Sequence, residues 1–240
     1  MSELRNVLDK LHHPFCSAIV PAAGISRRMG GGNKLFLELN GIPVLIRTLQ
    51  AIDQTQLVDE IIVAAQSEML EEAAELCHRA ALRKPVRVVT GGVTRAESVL
   101  AAALEANKKA RFLAVHDGAR PLITPDEFDA VVRLALRTNA AAPAIPVTDT
   151  VKVVDSSGIV VHTPDRSTLF AVQTPQVFDI DLLKAALQSA EKDHAEITDD
   201  CSAVERLGMS VKIVEGDERN LKVTTPLDLR LAELLLEDEK

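Results

Sequence analysis

Residues 17–34, Ser-Ala-Ile-Val-Pro-Ala-Ala-Gly-Ile-Ser-Arg-Arg-Met-Gly-Gly-Gly-Asn-Lys, decide how this chain is read. Ala18, Ile19 and Val20 form a short apolar run, expected as a buried strand that breaks at Pro21. A loop of small residues follows, carrying Arg27, Arg28 and Lys34. Ala22, Ala23 and Gly24 leave the backbone uncovered, so its N–H groups can approach phosphate oxygens closely. The cations add charge that backbone dipoles cannot supply. A strand running into such a cradle suits a nucleoside triphosphate. It is not a Walker loop, because no Gly-x-x-x-x-Gly-Lys-Ser/Thr string occurs. Nor is it a dinucleotide fingerprint: Ser26 stands where the second glycine belongs, and the acid nearest the expected ribose position, Glu38, falls too early.

Working outward, apolar runs alternate with helical patterns along almost the whole chain. Strands are expected at Ala18–Pro21, Ile61–Ala65, Val86–Thr90, Phe112–His116, Ala141–Pro146, Phe170–Gln173 and Val211–Val214. Helices are expected near Val44–Ile52, Glu68–Arg79, Arg95–Ala106, Pro125–Arg137, Ile180–Glu191, Asp199–Leu207 and Pro226–Glu237. Thr94 with Glu97 and Thr124 with Glu127 read as capping boxes, and Pro125 and Pro226 suit a first helical position. This alternation implies an α/β, Rossmann-like, mainly parallel sheet covered by helices. Ligands of such sheets bind at the carboxyl ends of the strands, where the Gly24 loop, Gly91-Gly92, Asp117 and Thr174 all fall. Residues 151–162 break the alternation. Two short valine-rich runs around Asp-Ser-Ser-Gly predict a projecting β-hairpin arm within about residues 147–168, either a lid on its own domain or a grip on a second subunit.

Composition narrows the class. With 47% hydrophobic and 26% charged residues, the 240-residue chain suits one soluble globular domain, residues 1–240. No apolar run is long enough to span a bilayer and no leader pattern is visible, so a cytoplasmic protein with no membrane partner is expected. Leu4, Val7, Leu8 and Leu11 instead carry helical spacing. Cys16, Cys77 and Cys201 are too scattered for a disulfide framework or a zinc site. A net charge of −8, without tryptophan or tyrosine, argues against nucleic acid as a partner. It leaves room for a local basic cleft, and Arg27, Arg28, Lys34, Arg95, Arg120, Lys152, Arg166 and Lys222 all lie in motif segments.

Those segments carry a family resemblance. The Pro21-Ala-Ala-Gly24 loop resembles the signature of sugar-phosphate nucleotidyltransferases, and its form narrows this to the 2-C-methyl-D-erythritol 4-phosphate cytidylyltransferase family. Gly91-Gly92-x-x-Arg95-x-x-Ser98-Val99, Val115-His116-Asp117-Gly118-Ala119-Arg120-Pro121 and Pro146-x-x-Asp149-Thr150-x-Lys152 match that family in order. So do Asp165-Arg166, Gln173-Thr174-Pro175-Gln176, Thr198-Asp199-Asp200 and Asn220-x-Lys222-Val223-Thr224.

The resemblance implies transfer of CMP from CTP to a sugar-alcohol phosphate, with Mg²⁺ as cofactor and a homodimer formed through the arm. The acceptor phosphate is already an anion, so alignment and charge neutralisation carry the catalysis and no general base is needed. Arg28 and Lys34 are implied as transition-state stabilisers, with Arg166 and Lys222 as the other catalytic residues, positioning the attacking phosphate; Arg166 reaches across from the second subunit. Ala22, Ala23, Gly24, Ser26, Gly92, Ser98 and Asp117 are implied nucleotide contacts. Asp117, Arg120, Thr150, Arg166, Thr174, Thr198 and Lys222 are implied for the acceptor. Asp117 is also a possible partner of the metal, which the phosphate oxygens mainly hold. The residues themselves leave other roles open: Thr198 could cap the helix at Asp199, Asp117 could pair structurally with Arg120, and Lys222 sits in a strand-like run. His116 reads as structural. A ribitol 5-phosphate cytidylyltransferase and a non-catalytic nucleotide-binding regulator are the competing functions.

Overall fold

The structure, a computed structural model, describes residues 13–23 and 36–237. The helix expected over Leu4–Leu11, and the positions of Gly24, Ser26, Arg27, Arg28 and Lys34, lie outside the described residues.

An eight-stranded sheet organises the chain. Its strands are β1 (Cys16–Pro21), β4 (Glu60–Ala65), β5 (Val86–Thr90), β6 (Phe112–Val115), β7 (Ala140–Pro146), β10 (Phe170–Val172), β11 (Gln176–Asp179) and β12 (Lys212–Glu215). Two two-stranded ribbons stand apart: β2 (Glu38–Leu39) with β3 (Ile42–Pro43), and β8 (Val153–Val154) with β9 (Val160–His162). The helices are α1 (Val44–Gln54), α2 (Leu70–Arg79), α3 (Arg95–Leu104), α4 (Pro125–Thr138), α5 (Ile180–Lys192), α6 (Asp200–Arg206) and α7 (Pro226–Glu237).

β1 pairs in parallel with β4 and β6, and β4 with β5, so β1 and β4 are hydrogen-bonded on both edges. Both sequences are accordingly almost uninterrupted apolar runs. Successive side chains feed opposite faces. Ala18, Val20, Ile61 and Val63 pack under α1 and α4 with Leu45, Leu49, Phe128 and Val131. Ile19, Ile62, Ala64, Leu113 and Val115 pack under α3, α5 and α6 with Val99, Leu183 and Val204. Each fully buried Leu, Ile or Phe in these layers contributes about 1.5–3 kcal/mol.

The expected strands and helices are present, with ends shifted by a residue or two. Both capping boxes form: Thr94 and Thr124 Oγ1 accept from the N–H of Glu97 and Glu127, whose carboxylates reach back. The hairpin arm forms around Gly158, whose φ of +83° suits the turn.

One strand departs from expectation. β11 is antiparallel to both β6 and β7. Ala144 pairs with both Val172 and Glu215, and Ala141 with both Val177 and Lys212. β12 therefore lies on one side of β7, and β10 and β11 both lie on the other, as one strand interrupted at Gln173–Pro175. That reversal positions the site. The start of an antiparallel strand lies at the same sheet edge as the ends of its parallel neighbours, which brings Thr174 beside the end of β6.

Candidate active site

At this carboxyl edge, the exits of β1 and β5 are each laced to the end of β4 between them. Ala22 N–H donates to Ala64 O and Gly91 N–H to Ala65 O, both at 2.7 Å. A Cβ on Gly91 would come within 2.8 Å of Ser98 Oγ and 3.1 Å of Ala23 Cβ, and one on Gly92 within 2.2 Å of Glu97 Cβ. Only glycine lets α3 start this close to the loop. Ser98 is fully buried. Its hydroxyl accepts from Gly92 N–H at 3.1 Å and donates to Thr94 O at 2.9 Å, so it shapes the Gly92 turn.

The end of β6 carries the electrostatic centre. Asp117, buried, meets Lys222 Nζ at 2.7 Å, Arg95 Nε at 3.3 Å and Arg120 Nε at 3.8 Å. Burial alone would push its carboxyl up. The Arg95, Lys222 and Arg120 charges outweigh that and hold it well below the usual carboxylate range. Arg95 continues through Nη1 to Asp200 Oδ2 at 2.7 Å. Asp200 is wholly buried, and its pKa is pushed up by that burial, against the pull of Arg95. Gln176 fixes the start of α6 by accepting from Asp200 and Cys201 N–H and donating to Asp199 at 2.8 Å. Around Asp117, Arg95, Arg120 and Lys222 thus leave cations in excess of that one carboxylate, and Arg95 alone reaches on to Asp200. Such an excess attracts phosphates.

Lys222 is not on a strand, contrary to expectation. Residues 220–224 are a loop strapped to the edge: Arg120 donates to Asn220 O, Asn220 Nδ2 donates to Thr174 O at 2.9 Å, and Val223 N–H donates to Ala119 O at 2.8 Å. This anchoring lets a 40% exposed lysine keep a short ion pair. Thr174 accepts from Asp117 N–H at 3.0 Å and lies 3.1 Å from His116 Nδ1. His116 is fully buried, in keeping with a structural residue.

The structure thus gathers Asp117, Arg120, Thr174 and Lys222, with Ala22, Ala23, Gly92 and Ser98 along the same edge. Thr198 is exposed just before α6, and Asp199, not Thr198, caps that helix. Thr150 and Arg166 are exposed on the arm, where Arg166 donates to Thr148 O at 2.7 Å and neither is bonded to Asp117.

The sequence motifs contain Arg95 and Asp200, but Arg95 counts there only as one of the cleft's cations and Asp200 has no assigned role. A signal existed. Arg95 occupies the first turn of α3, where a cation opposes the helix dipole, which implies a carboxylate partner.

Comparison with known proteins agrees over most of the chain. The family model "IspD: 2-C-methyl-D-erythritol 4-phosphate cytidylyltransferase" matches residues 16–238. The cytidylyltransferase of that name from Symbiobacterium thermophilum is 49% identical over 224 residues, 93% of each chain. Its namesake from Halalkalibacterium halodurans is 42% identical, over 93% of this chain and 98% of the other. Among solved structures, 4-diphosphocytidyl-2C-methyl-D-erythritol synthase from Anaerococcus prevotii aligns with a TM-score of 0.83 at 29% identity, covering 93% of this chain and 96% of that one. The Thermus thermophilus cytidylyltransferase aligns at 0.75 and 31%, covering 93% and 99%. With the family model matched over residues 16–238 and relatives up to 49% identical over 93% of the chain, the chain belongs to the 2-C-methyl-D-erythritol 4-phosphate cytidylyltransferase family.

Proposed function

We propose that the Asp117 cluster forms the acceptor side of the site at which this enzyme joins CTP to 2-C-methyl-D-erythritol 4-phosphate, releasing pyrophosphate. The acceptor phosphate attacks the α-phosphorus in line. Lys222 and Arg120 draw that phosphate in, and Arg28 and Lys34 neutralise charge on the triphosphate as the P–O bond breaks. The observation that carries the reading is Asp117 itself, an ionised carboxylate bound by three cations. A carboxyl held that acidic cannot serve as a general base, and an anionic nucleophile does not ask for one. Asp117 instead fixes where Lys222 and Arg120 point.

The loops around Gly92 and Ala22–Ala23 are the proposed cytidine wall, with Ser98 holding the Gly92 turn. Thr150, Thr174 and Thr198 are proposed for the sugar alcohol. Mg²⁺ is the proposed cofactor. Among the described residues no three His, Cys, Asp or Glu side chains gather to hold a metal, and both Asp117 oxygens face cations. A hydrated Mg²⁺ would therefore be held mainly by triphosphate oxygens, with Asp117 as its one proposed side-chain partner, through water, and would supply charge neutralisation on the phosphates.

The arm is proposed to clasp a second copy. Val153, Val154, Val160 and Val161 are 39–63% exposed, a patch that a dimer interface would cover, and Arg166 would then serve the partner's site. Among the described residues no helix is long and apolar enough to cross a membrane, and a cytoplasmic setting is proposed.

Lys222→Met tests the assignment. Pyrophosphate release should fall at least about a hundredfold, as when a charge-stabilising donor is removed, while CTP binding persists. Near-normal turnover would remove Lys222 from the chemistry.

A further inference from the structure

His116 borders the site but takes no part in the chemistry above. Its ring packs against Phe128, with centroids 5.6 Å apart, and its two nitrogens meet different partners. Nε2 lies 3.2 Å from Arg120 O. A carbonyl oxygen only accepts, so Nε2 carries the proton. Burial favours the uncharged ring, which leaves Nδ1 bare. Nδ1 lies 3.1 Å from Thr174 Oγ1, so the threonine hydroxyl donates to it. That same oxygen accepts from Asp117 N–H at 3.0 Å. Thr174 has one hydroxyl proton, and it is committed inward. Thr174 is 4% exposed, and one lone pair of its hydroxyl is left unshared.

We infer that His116 is a positioning residue that fixes Thr174 as a hydrogen-bond acceptor, so that Thr174 engages a hydroxyl of the bound molecule and offers nothing to a phosphate oxygen. The inference rests on the reading of this cleft as a sugar-alcohol phosphate site, and it gives the two ends of that ligand different walls. Lys222 and Arg120 take the phosphate. Thr174 takes a hydroxyl, which sets the direction in which the alcohol lies.

The test has two arms, neither of which depends on cytidylyl transfer being the activity. In the first, ¹⁵N-histidine-labelled protein at pH 7 gives long-range ¹H–¹⁵N correlations, with the His116 signals assigned by their loss in His116→Asn. A protonated Nε2 with a bare Nδ1 is expected; a protonated Nδ1 overturns the inference. In the second, calorimetry measures binding of inorganic phosphate and of 2-C-methyl-D-erythritol 4-phosphate to wild type, Thr174→Val and Thr174→Ser. Thr174→Val should weaken the sugar-alcohol phosphate at least about tenfold, the scale of one lost hydrogen bond, and leave inorganic phosphate unchanged. Thr174→Ser, which keeps the hydroxyl, should recover most of the loss. Equal weakening of both ligands, or of neither, overturns the inference. Should Thr174→Val fail to fold, the wild-type spectrum still decides the tautomer on which the inference stands.

Discussion

Replacing Arg95 by methionine separates the stability of the charged cluster from its function. Arg95 lies 2.7 Å from Asp200 and 3.3 Å from Asp117. Asp200 has no solvent exposure, and its Oδ1 has no hydrogen-bond partner. Without the guanidinium, Asp200 must stay charged in a dry site or bind a proton. Removing one member of a buried ion pair costs about 3–5 kcal/mol. For a chain of this size that lowers the melting temperature by about 6–20 °C. Asp117 is less affected, because Lys222 remains at 2.7 Å and is partly solvated. Arg95→Met combined with Asp200→Asn removes the stranded charge and should recover about 1–3 kcal/mol relative to additivity. Turnover should stay low in both variants, since Asp117 has lost a partner that aims it. The chain has neither tryptophan nor tyrosine, so far-ultraviolet circular dichroism is the suitable probe of unfolding. A single variant within about 1 kcal/mol of wild type, or two substitutions whose costs simply add, would mean that Arg95 does not hold Asp200.

Three further outcomes are expected. Burial lowers His116 from 6.5 to about 4, so the unfolded chain binds a proton there that the folded chain refuses. Stability should therefore fall by about 3 kcal/mol as the pH drops from 6.5 to about 4; a slope over this window equal to that of His116→Asn would contradict it. Burial pushes Cys77 up to about 11 and raises Cys16 and Cys201 as well, so native protein at pH 8 should react with iodoacetamide far more slowly than unfolded protein. Fast labelling under native conditions would mean the thiols are exposed. Val160→Asp on the arm should shift a dimer towards monomer in sedimentation without unfolding the sheet; an unchanged mass would separate the arm from assembly.

The fold was legible where local chemistry was explicit. Val20 and Val63 fall in buried runs, Thr94–Glu97 and Thr124–Glu127 announce helix starts, and the Asp155–Gly158 turn marks the arm. β11 was not legible. It is four residues long, follows Pro175 directly, abuts α5 and has polar ends at Gln176 and Asp179, so nothing in its pattern separates it from a helix approach. Lys222 misled for a related reason. Leu221 and Val223 flank it with the two-residue period of a strand, but the buried Asn220 and Val223 bond to Thr174 O and Ala119 O.

In the site, the motif residues were found singly, and of their wiring only the Asp117–Arg120 pair was foreseen. The Arg95–Asp200 bridge joins positions far apart in the chain, and the hydroxyl of Thr174 is oriented by a buried histidine. Both depend on the reversed β11, which carries Gln176 to α6 and Thr174 to Asp117.

Pyrophosphate release with CTP and Mg²⁺, offering 2-C-methyl-D-erythritol 4-phosphate and ribitol 5-phosphate separately, decides which acceptor the site serves. Release dependent on the erythritol phosphate, and abolished by Lys222→Met, is the predicted result. Release with ribitol phosphate alone, or none from protein that still binds CTP, would contradict it.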